Sequence, residues 1–80
     1  MRIDKYLKVS RLIKRRTVAN DACDGGRIEV NGKVVKASYE VKTGDILNIN
    51  LGAKPIKVKV ESINEYANKS DAFLMYSVIE

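Results

Sequence analysis

The sequence predicts an α+β domain, with two short helices in the first third of the chain and a small β-sheet after them. Apolar residues recur at helical spacing as far as Cys23 and at alternate positions after Gly25-Gly26. The 80 residues are 45% hydrophobic and 31% charged, a balance that suits one compact core and excludes a disordered tail. We therefore expect a single domain over residues 1–80.

The predicted first helix is amphipathic. Its apolar residues share one arc of the helix at about 100° per residue, and they are Ile3, Tyr6, Leu7 and Ile13. Asp4 carries a negative charge where the helix dipole is positive, which favours a helix start. Lys14 would fall on the apolar arc if the helix continued, so we expect the helix to end near Leu12 or Ile13. A basic turn at residues 14–16 follows.

A second short helix is expected after that turn. Thr17 can cap its start, and Gly25-Gly26 stops it. Its polar face carries Asn20, Asp21 and Asp24. Its predicted buried face is made of small residues, namely Val18, Ala19, Ala22 and Cys23. Because these residues are small, the helix can pack closely against a neighbouring element.

Strands are predicted from Ile28 onwards. Asn31-Gly32 lies between short alternating segments, which indicates a tight hairpin that continues at Val34. The sequence from Lys42 to Asp45 predicts a second turn. The strand after this turn has imperfect alternation, and its expected apolar residues are Ile46, Ile49 and Leu51.

The last third of the chain is predicted to add two strands. Pro55 ends the preceding strand, and the clearest alternation in the chain follows, with Ile56, Val58 and Val60 apolar. The segment from Asn64 to Asp71 is expected to be an exposed, mobile loop. The final strand is expected between Phe73 and Ile79.

Several function classes are disfavoured by the residues that are absent. The chain has no histidine and one cysteine, which removes the commonest general base and the commonest zinc ligands. It has no glycine-rich phosphate loop. Asp21 and Asp24 could pair as acid and base, but solvation on a polar helix face explains them better. Cys23 is expected in the core and not as a reactive thiol. From all these points together we expect that the protein is not an enzyme and that it binds no cofactor or metal.

The aromatic residues give little support for base stacking. Tyr6 and Tyr76 are explained as core and strand packing, whereas Tyr39 and Tyr66 could be either packing or stacking residues. No aromatic-basic interleaving is present. Contact with phosphate is therefore expected to dominate any contact with nucleic acid.

The positive charge is concentrated at the amino end. Residues 1–16 contain seven of the 15 basic residues and one of the ten acidic residues, which gives +6, so the other 64 residues sum to −1. Arginine can bind phosphate oxygens with two N–H groups, and lysine supplies a flexible charge. This pattern predicts binding to structured RNA by the helix face and the turn after it.

A basic segment of this kind could instead be a solvated helix without a ligand, although here the charges converge from both a helix and a turn. It could also lie on a membrane surface, but its apolar arc is narrow, contains no Trp or Phe and is needed for the core. No apolar run approaches the roughly 18 residues of a membrane span, and the first residues do not form a secretory signal. A cytoplasmic location is therefore expected.

The ordered blocks of the chain resemble a known family, the S-four or alpha-L RNA-binding domain. The matching blocks are Arg2-Ile3-Asp4-Lys5-Tyr6-Leu7, Lys14-Arg15-Arg16-Thr17 with Ala19, Gly26-Arg27-Ile28, Val30-Asn31-Gly32, Ser38, and Val41-Lys42-Thr43-Gly44-Asp45. The resemblance covers about residues 2–50 and implies two antiparallel helices on a small bent antiparallel β-sheet. It also implies that RNA lies along the helices and their connecting turn. The strands that the alternation predicts at residues 51–80 would be additions to this motif.

Within that family the whole chain is most similar to the RqcP-type relatives of heat-shock protein fifteen. The resemblance implies binding to the large ribosomal subunit that holds peptidyl-tRNA, in support of alanine tailing by an RqcH-type protein. Arg2 and Arg16 would contact ribosomal RNA and tRNA. The chain lacks the long basic tail of heat-shock protein fifteen, which favours this subgroup.

These considerations give a set of candidate RNA-binding residues in a protein that we expect to be monomeric. The set is Arg2, Lys5, Lys8, Arg11, Lys14, Arg15, Arg16 and Thr17. One rival hypothesis is an RNA-targeting subunit of an rRNA-modifying or tRNA-modifying enzyme, which would leave new modifications on incubated RNA. Another is a protein-binding adaptor, whose sedimentation with ribosomes would survive nuclease treatment.

Overall fold

The computed structural model describes residues 1–79, which form an α+β domain. Its helices are α1 (Ile3–Val9), α2 (Arg16–Asp24) and α3 (Lys69–Ala72). Its strands are β1 (Ile28–Val30), β2 (Lys33–Val34), β3 (Ile46–Ile49), β4 (Ile56–Val60) and β5 (Tyr76–Val78). In these residues no helix combines the length and the apolar character needed to cross a bilayer.

One antiparallel sheet contains all five strands, in the order β2-β1-β3-β4-β5. The predicted hairpin between β1 and β2 is confirmed. Asn31 and Gly32 have φ angles of 52° and 85°, and a tight two-residue hairpin turn requires positive φ at both positions. The strands before and after residue 50 are hydrogen-bonded neighbours, so the extension at residues 51–79 is built into the sheet.

Helix α1 ends earlier than predicted, at Val9 instead of near Leu12 or Ile13. Arg11 adopts a φ of 65°, a left-handed conformation that stops the helix. The Ile13 amide then donates to the Leu7 carbonyl at 3.0 Å. Ile13 is buried as predicted, but it reaches the core through this turn and not through continued helix.

Helix α2 starts at Arg16, so the prediction that Thr17 caps it was wrong. Arg15 is the N-cap residue, its side chain makes no capping bond, and Thr17 lies in the first turn. Val18 was predicted to be buried, yet it is 44% exposed. The buried arc of α2 is made by Ala19, Ala22 and Cys23, and Val18 lies about 90° from its centre.

The core lies between helices α1 and α2 and one face of the sheet. Val58 and Val60 of β4 point into it as predicted, but Ile56 is 44% exposed. In β3 the buried residues are Leu47 and Ile49. The imperfect alternation of this strand has a structural reason, because Ile46 lies on the face opposite Ile49, and Leu51 lies beyond the end of β3, where it packs partly buried against the core.

The segment after β4 contains a short helix that the sequence prediction missed. Part of the predicted loop from Asn64 to Asp71 belongs to α3, and the Asn68 side chain caps it by accepting a hydrogen bond from the Asp71 amide at 2.9 Å. Phe73 and Leu74 follow the helix and are exposed. The predicted last strand is correspondingly shorter and spans β5 alone.

Helix α1 holds this C-terminal segment at two points. The buried Tyr6 hydroxyl donates to the Met75 carbonyl at 2.6 Å. The Lys5 ammonium pairs with the Glu65 carboxylate at 3.3 Å. The Tyr6 bond is shielded from water, and burial raises the pKa of its hydroxyl well above the usual range. Tyr6 therefore joins the RNA-binding candidate helix to the far end of the chain.

We expect Tyr6→Phe to lower the free energy of unfolding by about 1–2 kcal/mol, because the buried Met75 carbonyl would lose its side-chain donor. Urea denaturation followed by circular dichroism measures this loss. The control is Tyr66→Phe, the same chemical change at a side chain that is 89% exposed. Equal effects of the two substitutions would contradict the assigned role of the Tyr6 hydroxyl.

Candidate nucleic-acid interface

The first turn of α1 contains a buried carboxylate, that of Asp4, which is 2% exposed. Its Oδ1 atom accepts a hydrogen bond from the Lys5 amide at 2.8 Å, and its Oδ2 atom accepts one from Asn20 Nδ2 at 3.2 Å. Asn20 belongs to α2. The carboxylate therefore links the first turn of α1 to α2 across the interface between the helices.

Two arginines converge on the same carboxylate. Arg2 binds it with one edge of its guanidinium, Nε to Oδ1 and Nη2 to Oδ2, each at 3.2 Å. Arg16, from the start of α2, places Nη2 at 3.5 Å from Oδ1. The Arg2 and Arg16 side chains remain 46% and 49% exposed. Both guanidiniums are thus anchored on their inner side and open to solvent on the outer side.

Asp4 is ionised at neutral pH. Burial alone would raise the pKa of the Asp4 carboxyl, but hydrogen bonds from Asn20 and the Lys5 amide, together with the Arg16 charge, lower that pKa below the usual range. A buried charge is tolerated when it is paired and hydrogen-bonded in this way. The arginines therefore meet a permanent negative charge.

An open cavity of about 390 Å³ lies beside this network. It is lined by Arg2, Asp4, Arg16, Thr17, Asn20 and Asp21. The guanidiniums, the Thr17 hydroxyl and the Asn20 amide supply donors, which phosphate oxygens require. The structure therefore brings three predicted site residues, Arg2, Arg16 and Thr17, to one cavity.

Three other predicted residues line a second open cavity, also of about 390 Å³. These are Lys8, Arg11 and Lys14. The left-handed conformation of Arg11 reverses the chain here, so that residues before and after the helix end face one space. Within residues 1–79 none of the three forms an ion pair. Their charges are therefore available to an external anion.

The two remaining basic candidates differ from the rest. Lys5 is half-buried and paired with Glu65, which reduces its capacity for phosphate. Arg15 is exposed in extended backbone immediately before α2. The seven predicted basic residues thus divide into the arginine pair on Asp4, the three residues of the second cavity, Lys5 with its partner Glu65, and the exposed Arg15.

Two residues that were considered for catalysis, Cys23 and Asp24, have structural roles instead. Cys23 is buried, and burial raises the pKa of its thiol to about 11, so little thiolate forms at neutral pH. The Asp24 carboxylate accepts a hydrogen bond from the Ala37 amide at 3.0 Å. In the described part of the chain, no group of three or more His, Cys, Asp and Glu residues could hold a metal ion.

The two undecided tyrosines differ in the structure. Tyr39 is half-buried, and its hydroxyl donates to Asp45 Oδ2 at 3.2 Å, so it is a packing residue. Asp45 itself is buried and also accepts from the Lys42 amide and from Asn31 Nδ2. Tyr66 remains fully available at the surface.

Sequence reasoning missed the role of Asp4 and Asn20. Asp4 was explained by the helix dipole, whereas its side chain is buried and binds two arginines and one asparagine. One signal was present in the sequence. Asp4 is the single acidic residue among the first sixteen, where seven basic residues surround it, and a lone acid in such a segment indicates a partner for several cations.

Comparison with known proteins agrees with these features. A family model described as "S4 domain" matches residues 1–47. A protein of Listeria monocytogenes named RQC P-site tRNA stabilizing factor is 52% identical over 80 residues, which cover 100% of this chain and 87% of the relative. A protein of the same name from Bacillus subtilis is 48% identical, with coverage of 100% and 93%.

A solved structure extends the likeness to three dimensions. The trimeric structure of Vibrio cholerae Heat Shock Protein 15 superposes with a TM-score of 0.91. The overlap covers 99% of this chain and 81% of that chain at 26% sequence identity. The likeness therefore includes the strands after residue 47, beyond the part matched by the family model.

The lowered pKa of Asp4 gives a pH-dependent stability. The ionised carboxylate stabilises the fold at pH values above the unfolded pKa of about 3.8, and this contribution is lost as the pH falls through the lower folded pKa. We expect Asp4→Asn to cost about 2 kcal/mol at pH 7 and progressively less below pH 4. Urea denaturation across this range measures the difference.

The control for this titration is Asp21→Asn, which removes an exposed carboxylate. Its cost should stay below about 0.5 kcal/mol at every pH. A cost of Asp4→Asn that does not change with pH would show that packing, and not charge, accounts for the effect.

Proposed function

The chain belongs to the S4 domain family, and on this premise we propose that it binds structured RNA without catalysing a reaction. The proposed ligand is ribosomal RNA and tRNA on a large ribosomal subunit that holds peptidyl-tRNA. The proposed role is in ribosome-associated quality control, where an RqcH-type partner adds alanine tails to stalled chains. The names and full-length identity of the Listeria and Bacillus relatives support this role.

The observation that carries the proposal is the arginine pair on Asp4, with one arginine from the start of each of the helices α1 and α2. Exposed cations that form no ion pair within residues 1–79 lie on the same stretch of chain, at Lys8, Arg11 and Lys14. A solvated basic helix without a ligand does not require a buried carboxylate that orients two arginines. A fixed orientation of the arginines matters when they bind a ligand of fixed shape.

We propose that affinity comes from counterion release and selectivity from shape. Each basic side chain that replaces a counterion along the RNA backbone releases that ion, which makes binding depend on salt. If about five phosphates are neutralised, the logarithm of the affinity should fall against the logarithm of salt concentration with a slope of roughly −4, on the duplex scale. The rigid helix pair then selects an RNA surface that presents phosphates at matching positions.

Binding of this kind would act by occupancy. A factor that contacts ribosomal RNA and tRNA together would hold the tRNA on the subunit while another protein performs the chemistry. The protein would work in the cytoplasm, where ribosomes are, and a single copy offers all the candidate residues on one chain, so we propose that it acts as a monomer.

We expect Arg16→Ala to weaken binding to large ribosomal subunits that carry peptidyl-tRNA by about tenfold, since it removes one of the two anchored guanidiniums. The magnitude of the salt slope should fall by about 1. Sedimentation of labelled protein with purified subunits over a series of salt concentrations measures both quantities.

The matched control is Lys59→Ala, which removes one exposed positive charge from β4. It should change the affinity by less than about twofold. Equal losses for the two variants would remove the localised site, and salt-independent binding of the unmodified protein would remove the electrostatic mechanism.

A further inference from the structure

We propose that Asp4 is a positioning residue, which holds Arg2 and Arg16 as one rigid pair that grips a single RNA phosphate group. The inference rests on the function proposed above and assigns a role to a residue outside the predicted site. Asp4 itself is 2% exposed, and the proposed role needs no contact between its side chain and the RNA. It acts through the two guanidiniums that it binds.

The geometry brings the two cations within the reach of one phosphate. Arg2 Nε and Arg16 Nη2 lie at 3.2 Å and 3.5 Å from the same Asp4 oxygen. These two inner nitrogens are therefore no more than about 7 Å apart, which places the guanidiniums side by side, so that one phosphate can accept a charge-assisted bond of about 2.8 Å from an outer N–H group of each. Without a shared acceptor, two guanidiniums at this distance would repel each other.

Both arginines keep donors for the ligand. A guanidinium has five N–H groups, and Arg2 uses two of them on Asp4. Arg16 uses one on the same carboxylate. Nearly half of each side chain faces solvent, on the side of the open cavity that Thr17 also lines. The outer N–H groups can therefore bind an oxyanion while the inner ones stay on Asp4.

Pre-organisation is the reason why an acidic residue can strengthen the binding of an anion. A free arginine loses much side-chain freedom when it binds, and a side chain that is already anchored loses less. Asp4 is in turn fixed by Asn20 and by the Lys5 amide, so it cannot swing out towards the phosphate. Its burial keeps its own charge away from the ligand while its orientation of the arginines is retained.

Asp4 could instead weaken RNA binding, and this alternative can be distinguished by experiment. If Asp4 merely competed with RNA for the arginines, removing its charge would release them and tighten binding. Positioning and competition therefore predict changes of opposite sign for Asp4→Asn, a substitution that keeps the size of the side chain and removes its charge.

The experiment measures the affinity of Asp4→Asn for purified large ribosomal subunits carrying peptidyl-tRNA, at one salt concentration and at a temperature where circular dichroism shows the variant folded. We expect binding about tenfold weaker than that of the unmodified protein. In a chain that already carries Arg2→Ala and Arg16→Ala, Asp4→Asn should cause no further loss, because nothing remains for it to position.

The control for a general loss of structure is Asp45→Asn. Asp45 is also a buried carboxylate that accepts three hydrogen bonds, but from Asn31, Tyr39 and the Lys42 amide. Its substitution should lower thermal stability and leave subunit affinity within about twofold. A loss equal to that of Asp4→Asn would overturn the positioning role.

The remaining outcomes distinguish failure of this inference from failure of the proposed function. Unchanged or tighter binding by Asp4→Asn overturns the inference, as does a full further loss in the arginine-free chain. If Asp4→Asn does not fold, Asn20→Ala replaces it, because it frees one Asp4 oxygen and keeps the charge. About threefold weaker binding that disappears in the chain carrying Arg2→Ala and Arg16→Ala then supports the inference, whereas unchanged binding, or an equal loss in that chain, overturns it. If Arg2→Ala and Arg16→Ala have no effect themselves, the proposed function fails instead.

Discussion

A single buried carboxylate fixes the position of helix α1 relative to helix α2. Asp4 is in α1, but its side-chain partners include Arg16 and Asn20 of α2. A charge at that depth requires nearly complete pairing, because an unpaired ion in a protein interior is strongly unfavourable. The starts of α1 and α2 therefore have one favourable arrangement, and the exposed outer sides of the arginines follow from it.

The broad architecture could be predicted from periodicity, because local spacing determines which face of an element is apolar. The change from helical spacing to alternation at Gly25-Gly26 and the Asn31-Gly32 turn were sufficient to predict two helices followed by a sheet.

The end of α1 could not be predicted from periodicity. It depends on a left-handed Arg11 and on a bond between Ile13 and Leu7, neither of which has a local sequence signal. Val18 lies at the margin of the apolar arc of α2, where a small rotation of the helix decides between burial and exposure. Helix α3 has four residues, too few for a periodic pattern.

For the candidate site, the sequence was sufficient to identify the cations but did not show which of them have a partner within the protein. Lys5 is partly neutralised by Glu65, a residue sixty positions away that reaches it through the C-terminal segment. Arg2 and Arg16 share an acceptor because two helices pack together, and periodicity within one helix carries no information about its neighbour. Charge composition therefore predicted a cluster of cations at the amino end, and tertiary structure determined which of them share a carboxylate.

The bond from Tyr6 to the Met75 carbonyl bears on how this module can be reused. The family model stops at residue 47, yet a residue in the middle of α1 relies on a carbonyl close to the end of the chain. An engineer who grafts the arginine-bearing helices onto another scaffold must carry the final strands as well. Cutting the gene at the motif boundary would remove part of the support on which the helices rest.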